Sequence, residues 1–229
     1  MLEGLFAGYA RETMRILFHI QASPFARRTR LALAHKGLTV ELRDVRTHPE
    51  YFEESRRLSP LKTIPVLVEE DGRVLGDSTA ISHYLDRAYP SAPRLWPSES
   101  DDAHAVFEVT SLVDVALERI LDLGLRYHAL HTSDAWSAVK AETMERAQRA
   151  LDALGQRVSA LSRPTIARSG WSAADMWLFA AEQWLATVPQ RAARFPVAAQ
   201  VVSLGWRLPP ELSRWADQHR DRPDVRALD

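Results

Sequence analysis

The chain has 229 residues, 29 Lys and Arg against 30 Asp and Glu, and no cysteine. At about 100–200 residues per domain this length fits one large domain or two small ones, and the balanced charge creates no field that would gather nucleic acid or an anionic membrane. The missing cysteine excludes disulfides, cysteine-ligated zinc, iron–sulfur clusters and any reaction whose thiol comes from the protein.

In chain order, Met1 to Thr13 (MLEGLFAGYARET) lacks the basic start and unbroken apolar run of a signal peptide. It reads as an extension before a more regular pattern, and the cytoplasm is the default location. No apolar run is long enough to span a membrane. Arg15 to Gln21 (RILFHIQ) predicts a strand. Pro24 to Lys36 predicts a helix stopped by Gly37, with Phe25, Leu31 and Ala34 inward and Arg27, Arg28 and Arg30 outward. Thr39 to Asp44 alternates like a half-buried strand, with Val40 and Leu42 on one face. His48 to Leu58 is a short polar helix. Ile64 to Val68 and Arg73 to Leu75 are strands around the turn Glu70-Asp71-Gly72. Ser78 to Ala88 is an amphipathic helix presenting Ile81, Tyr84 and Leu85.

The order β-α-β-α-β-β-α describes a small α/β domain over residues 14–89. Residues 90–98 follow as a proline-rich linker. Beyond them the pattern is helical throughout: Glu99 to His131, Ser133 to Leu161, Ser172 to Val188 and Pro210 to Asp221. The expected architecture is therefore α/β plus all-α, with an extension over residues 1–13 and a helical domain over 99–229.

Three chain positions carry candidate chemistry. Ser23-Pro24 begins the first helix; Ser is a preferred N-cap and Pro costs no hydrogen bond at the next position. Beyond capping, a hydroxyl at the positive end of a helix stabilises a bound anion such as a thiolate. Pro65 removes a ladder hydrogen bond, so it marks an edge or a strand start; a cis Ile64–Pro65 bond would turn the Ile64 N–H and C=O towards an extended ligand. Asp77-Ser78 precedes the third helix. There the choice lies between a plain cap and a site where Ser78 and the helix amides hold a ligand carboxylate while Asp77 pairs with an ammonium.

Taken together, the first strand, Ser23-Pro24-Phe25-Ala26-Arg27-Arg28, Thr63-Ile64-Pro65-Val66-Leu67 and Asp77-Ser78 before Ala80-Ile81 and Tyr84-Leu85 resemble the glutathione-binding domain of cytosolic glutathione transferases. Gly170-Trp171-Ser172-Ala173-Ala174-Asp175 resembles that family's N-capping box, with Asp175 at the position where a box usually carries Glu or Gln. Leu212-Ser213-Arg214-Trp215 through Arg222-Pro223 resembles its last helix. The resemblance implies a thioredoxin-like domain that binds glutathione as co-substrate, without metal, and a helical domain that walls the acceptor pocket. It implies that Ser23 activates the glutathione sulfur. Ile64, before a cis Pro65, would pair with the cysteinyl unit; Asp77 and Ser78 would hold the γ-glutamyl end and Lys62 the glycine carboxylate. Two positions depart from the family's pattern: Asp77 stands where Glu or Gln is usual, and Thr63 where Lys is common.

Phe107, Ser111 and Val115 recur every four residues on the first long helix. They read either as acceptor-pocket lining, by resemblance, or as the helix's packed stripe. His19 reads as packed. His128 and His131 stand at helical spacing with no carboxylate set to complete a metal site, and Trp171, Trp177, Trp184, Trp206 and Trp215 read as core anchors. The leading functional expectation is a glutathione transferase acting on a small hydrophobic electrophile, or using glutathione transiently in isomerisation or dehalogenation, as a homodimer. The alternative is a non-catalytic, transferase-like adaptor or binding protein. A thiol–disulfide oxidoreductase is excluded, because position 23 is serine and the chain has no cysteine.

Overall fold

The structure, a computed structural model, describes residues 14–228, so the extension read over residues 1–13 lies outside the described residues. The chain divides into two compact units. One runs up to Trp96 and takes in the tail from Arg222; the other is Pro97–Asp221.

The first unit follows the order β1 (Ile16–His19), α1 (Pro24–His35), β2 (Glu41–Asp44), α2 (Pro49–Leu58), β3 (Val66–Val68), β4 (Val74–Gly76) and α3 (Ser78–Ala88). Its four strands form one mixed sheet in the order β2-β1-β3-β4. β1 runs parallel to β2 and antiparallel to β3, and the hairpin β3–β4 closes the other edge. Parallel pairing of β1 and β2 requires a crossover, which α1 supplies. Central strands are apolar on both faces: Leu17, Phe18, Val66 and Leu67 have no solvent exposure, as expected of strands covered on both sides. Fully burying side chains of this size contributes about 1.5–3 kcal/mol each.

Three details of this unit depart from the sequence reading. Leu42 is exposed on β2 because β2 is an edge strand; Arg43 lays its guanidinium over the Phe18 and Tyr51 rings instead. Arg28 and Arg30, read as outward, are both buried on α1. Arg30 donates to the side-chain oxygen of Gln21 and, at 2.9 Å, to the Gln21 backbone carbonyl, so the charge is sequestered by acceptors at the end of β1. The proline-rich stretch before Pro97 is strapped down rather than free. The carboxylate of Asp86 accepts from the amides of Leu95 and Trp96, Lys36 reaches Asp86 at 2.8 Å, and Trp96 stacks on His83 with ring centroids 4.1 Å apart.

The helical unit holds α4 (Ser100–Leu125), α5 (Tyr127–Leu130), α6 (Trp136–Ser159), α7 (Ala173–Arg191), α8 (Pro196–Ser203) and α9 (Pro210–Asp217). α7 is buried on nearly every face of its first four turns, the mark of a central helix, and packs against α4, α8 and α9. Its start is fixed by Asp175, which has no exposure. One Asp175 oxygen accepts from Ile166 N at 2.8 Å; the other accepts from Ser172 N at 3.0 Å and Ser172 Oγ at 2.7 Å. Burial pushes the carboxyl up to about 6 against the pull of those donors. Trp215 donates its indole N–H to the Pro164 carbonyl at 2.8 Å and stacks parallel to Trp171.

The tail does not belong with the helical unit, as the 99–229 boundary had it. α10 (Pro223–Arg226) packs on α1. Asp224 meets His35 Nδ1 at 3.1 Å and takes two hydrogen bonds from Arg222 at 3.0 and 3.1 Å. Burial alone would raise the Asp224 carboxyl; the bonds from His35 and Arg222 outweigh it and hold the group at about 2.

Two outcomes follow from this packing. Because the Asp224 carboxyl is depressed in the folded state, its contribution is present above the unfolded value of about 4 and is lost as pH falls towards about 2. The gap in unfolding free energy between wild type and Asp224→Asn should therefore be full at pH 5 and close below pH 3, read by denaturant titration. On α4, a Cβ at Gly124 would stand 2.5 Å from Val201 Cγ2 and 3.5 Å from Val201 Cα. Gly124→Ala gains about 1 kcal/mol of helix propensity but pays about 1–3 kcal/mol of overpacking, so the melting temperature should fall. A rise would show that α8 gives way freely.

Candidate functional site

The sheet register brings the three candidate positions to one edge. Phe18 of β1 pairs with Val66 of β3, and Val66 pairs with Gly76 of β4. Along that row the chain leaves β1 towards Ser23, enters β3 from Ile64-Pro65, and leaves β4 into Asp77-Ser78. With neighbouring strands about 4.8 Å apart, the row from β1 to β4 is about 10 Å wide, a span suited to a short extended ligand.

Ser23 is the N-cap of α1 in extended conformation, with Pro24 at the first helical position. Its Oγ accepts from Ala26 N at 3.3 Å. The hydroxyl proton is donated to no acceptor among the described residues, so the capping and functional readings are compatible: capping uses a lone pair and leaves the donor.

The Ile64–Pro65 peptide is cis. Ile64 lies two residues before the start of the β3 ladder at Val66, and no hydrogen bond of the described residues engages its backbone N–H or C=O. Lys62 is exposed, adopts a positive φ of 52°, and forms no ion pair among the described residues.

Asp77 is exposed and caps α3 at a φ of 70°. Its Oδ1 accepts from both Thr79 N and Ala80 N at 2.9 Å, which leaves Oδ2 as its free acceptor. Ser78 is buried, and its Oγ accepts from Arg28 Nε at 2.8 Å. Arg28 also reaches Thr79 Oγ1 at 3.4 Å, with its guanidinium over the Phe25 ring. The sequence reading missed Arg28 by placing it outward; its position five residues after Ser23 was the available signal, since that spacing turns a helical residue away from the cap's own face.

His19 closes β1 beneath this edge. It is buried, and burial first and Arg30 second lower its imidazole to about 4, so it is uncharged at neutral pH. Phe107, Ser111 and Val115 are all exposed along one face of α4. The packed stripe of that helix is instead Val106, Val109, Val113, Leu117 and Ile120. The described residues hold no cluster of three or more metal-ligating side chains, and none of their helices is long and apolar enough to cross a membrane. A groove of about 400 Å³ between the end of α6 and α9, lined by Leu161, Arg163, Arg214 and Trp215 among others, contains none of the candidate residues.

Residues 17–94 match the family described as glutathione S-transferase, N-terminal domain. A probable glutathione S-transferase, GSTU1, of Oryza sativa subsp. japonica is 32% identical over 123 residues, 51% of this chain and 52% of its own length. The glutathione S-transferase omega-1 of Mus musculus is 33% identical over 85 residues, 36% of this chain and 34% of its own. The chain thus spans about half or less of the curated relatives it matches. Among solved structures, a glutathione S-transferase of Methylobacterium radiotolerans in complex with glutathione sulfonate superposes with a TM-score of 0.71 at 22% identity, covering 94% of each chain. One of Methylobacillus flagellatus with glutathione bound gives 0.68 at 24% identity, covering 93% of this chain and 98% of its own. These likenesses establish the fold: a thioredoxin-like unit followed by the helical unit of the transferases. Residues 17–94 thus match a glutathione S-transferase N-terminal domain, and the chain shares the fold of the solved glutathione S-transferases.

Proposed function

We propose that the chain is a glutathione transferase in which Ser23 donates a hydrogen bond to the glutathione sulfur and so stabilises its thiolate. The observation that carries this reading is the Ser23 hydroxyl, whose oxygen is engaged by Ala26 N while its proton has no acceptor among the described residues, at the positive end of α1. Relatives named glutathione S-transferases, and solved neighbours with glutathione or its sulfonate bound, support the choice of ligand.

A free thiol has a pKa of about 8.5, so only a few per cent is thiolate at neutral pH. Lowering it by about two units takes about 2.7 kcal/mol of preferential stabilisation. A charge-assisted hydrogen bond supplies about 1.5–3 kcal/mol, and a helix N-terminus adds about 0.3–1; the two together suffice. Ser23 acts here as a donor and electrostatic stabiliser. The proton leaves with solvent, because burial lowers the His19 imidazole at the end of β1 to about 4, too weak a base to keep it.

The remaining assignments follow the free groups of the same edge. The Ile64 backbone pairs with the cysteinyl unit beside Pro65, Ser78 takes the γ-glutamyl carboxylate, Asp77 Oδ2 takes its ammonium, and Lys62 pairs with the glycine carboxylate. Phe107, Ser111 and Val115 offer an apolar face with one hydroxyl to a small hydrophobic electrophile. The working assembly is a homodimer.

Retention on immobilised glutathione, followed by turnover of an activated aryl chloride, separates this reading from a binding or adaptor role. A folded protein that fails both would overturn this reading. In the bound state, Ser23→Ala should move the thiolate absorbance midpoint from about 6.5 towards 8.5, with loss of most turnover at pH 7. An unchanged titration removes Ser23 from this role.

A further inference from the structure

We infer that Arg28 is a positioning residue of the ligand site: it fixes the Ser78 hydroxyl so that both donors of Ser78 face a ligand carboxylate. The inference rests on the glutathione-binding reading above and adds a residue to it.

The donors at the start of α3 are unequally used. Of the first amides of that helix, Thr79 N and Ala80 N are both taken by Asp77 Oδ1, and Ile81 N by the Asp77 carbonyl. Ser78 N–H is left over, with no acceptor among the described residues. The Ser78 hydroxyl has one proton and two lone pairs, and one lone pair receives Arg28 Nε–H at 2.8 Å. Since the guanidinium is a donor only, the hydroxyl proton must point away from it. No acceptor of the described residues takes that proton either. Ser78 is 1% exposed, and a buried donor without an acceptor costs about 1–3 kcal/mol. Two such donors on one residue, at the positive end of a helix, are matched by the two oxygens of a carboxylate.

Arg28 is what makes this arrangement single-valued. Without it the hydroxyl would rotate and could donate to a nearby carbonyl, competing with the ligand. The guanidinium is 2% exposed, carried on α1 one and a half turns after Ser23, and also touches Thr79 Oγ1 at 3.4 Å. It therefore links the helix that bears the thiol-stabilising serine to the helix that bears the carboxylate donors. A misplaced Ser78 should weaken ligand binding and leave the sulfur chemistry of bound ligand intact.

The test is a double-mutant cycle on Arg28→Gln and Ser78→Ala, with glutathione dissociation constants from calorimetry and kcat and KM from aryl chloride turnover. Each single variant should raise the dissociation constant and the KM for glutathione about tenfold, with kcat within about twofold of wild type. In the Ser78→Ala background, Arg28→Gln should add less than about twofold. Arg28→Lys keeps a buried cation without the fixed Nε–H. It should fold where Arg28→Gln does not, and show the same rise in KM, reduced in size but again absent from the Ser78→Ala background. Additive losses, or a fall in kcat as large as the rise in KM, would overturn the positioning role and leave the transferase reading intact. A folded wild type with no affinity for glutathione would overturn both.

Discussion

Backbone N–H groups at the start of an α-helix have no partner within the helix, and three helix starts in this chain meet that deficit in different ways. At α1 the serine oxygen takes one amide and keeps its proton. At α3 one oxygen of Asp77 takes two amides and leaves both donors of Ser78. At α7 Asp175 spends both oxygens on Ser172 and Ile166 and leaves nothing. The same device thus produces a closed structural cap in the helical unit and open, polar ends in the sheet unit. The difference is which groups remain after the cap is satisfied.

Those open ends meet at one candidate site because of the sheet. The row Phe18–Val66–Gly76 places the exits of β1 and β4 and the entry of β3 at one edge, and side chains without exposure along Leu17, Phe18, Val66 and Leu67 hold that row rigid. Register matters here more than any single side chain, since a slip of one residue would reverse every side chain on a strand. Buried cations then tie the helices to the frame: Arg30 to the end of β1, Lys36 to Asp86, and Arg28 to Ser78. Removing one partner of such a contact is costly, because the remaining polar group stays buried.

Helix starts were the most legible part of the sequence, because Ser23-Pro24, Asp77-Ser78 and Ser172 with Asp175 are local chemical signals that need no tertiary context. The strands and the long helices α3, α4, α6 and α7 were legible from periodicity for the same reason. The four-residue α5 was merged with α4 and α10 was not separated, since four residues give too little period to read, and α8 was not read at all. Leu42 was misread because alternation does not tell an edge strand from an inner one. Arg28 and Arg30 were misread because the rule that charge faces water is a statement about unpaired charge. Both have acceptors contributed by segments that are distant or out of helical phase, Ser78 and Gln21, and a one-dimensional pattern carries no trace of them. The tail was misplaced on similar grounds: its partner His35 lies 189 residues away in sequence.

Asp77 shows how capping shapes specificity within the proposed transferase. A glutamate at this position would have one more methylene with which to reach outward. Aspartate at a φ of 70° folds one oxygen back onto Thr79 N and Ala80 N, so its charge is partly spent on the helix dipole. A ligand ammonium then meets one free oxygen, exposed to water, where ion pairs contribute about 0–1 kcal/mol. The carboxylate of the same ligand group meets two buried donors on Ser78, held in place through Arg28. If the proposed transferase binds glutathione here, recognition of the γ-glutamyl end would rest more on its carboxylate, met by the Ser78 donors, than on its ammonium, met by a water-exposed Asp77 oxygen.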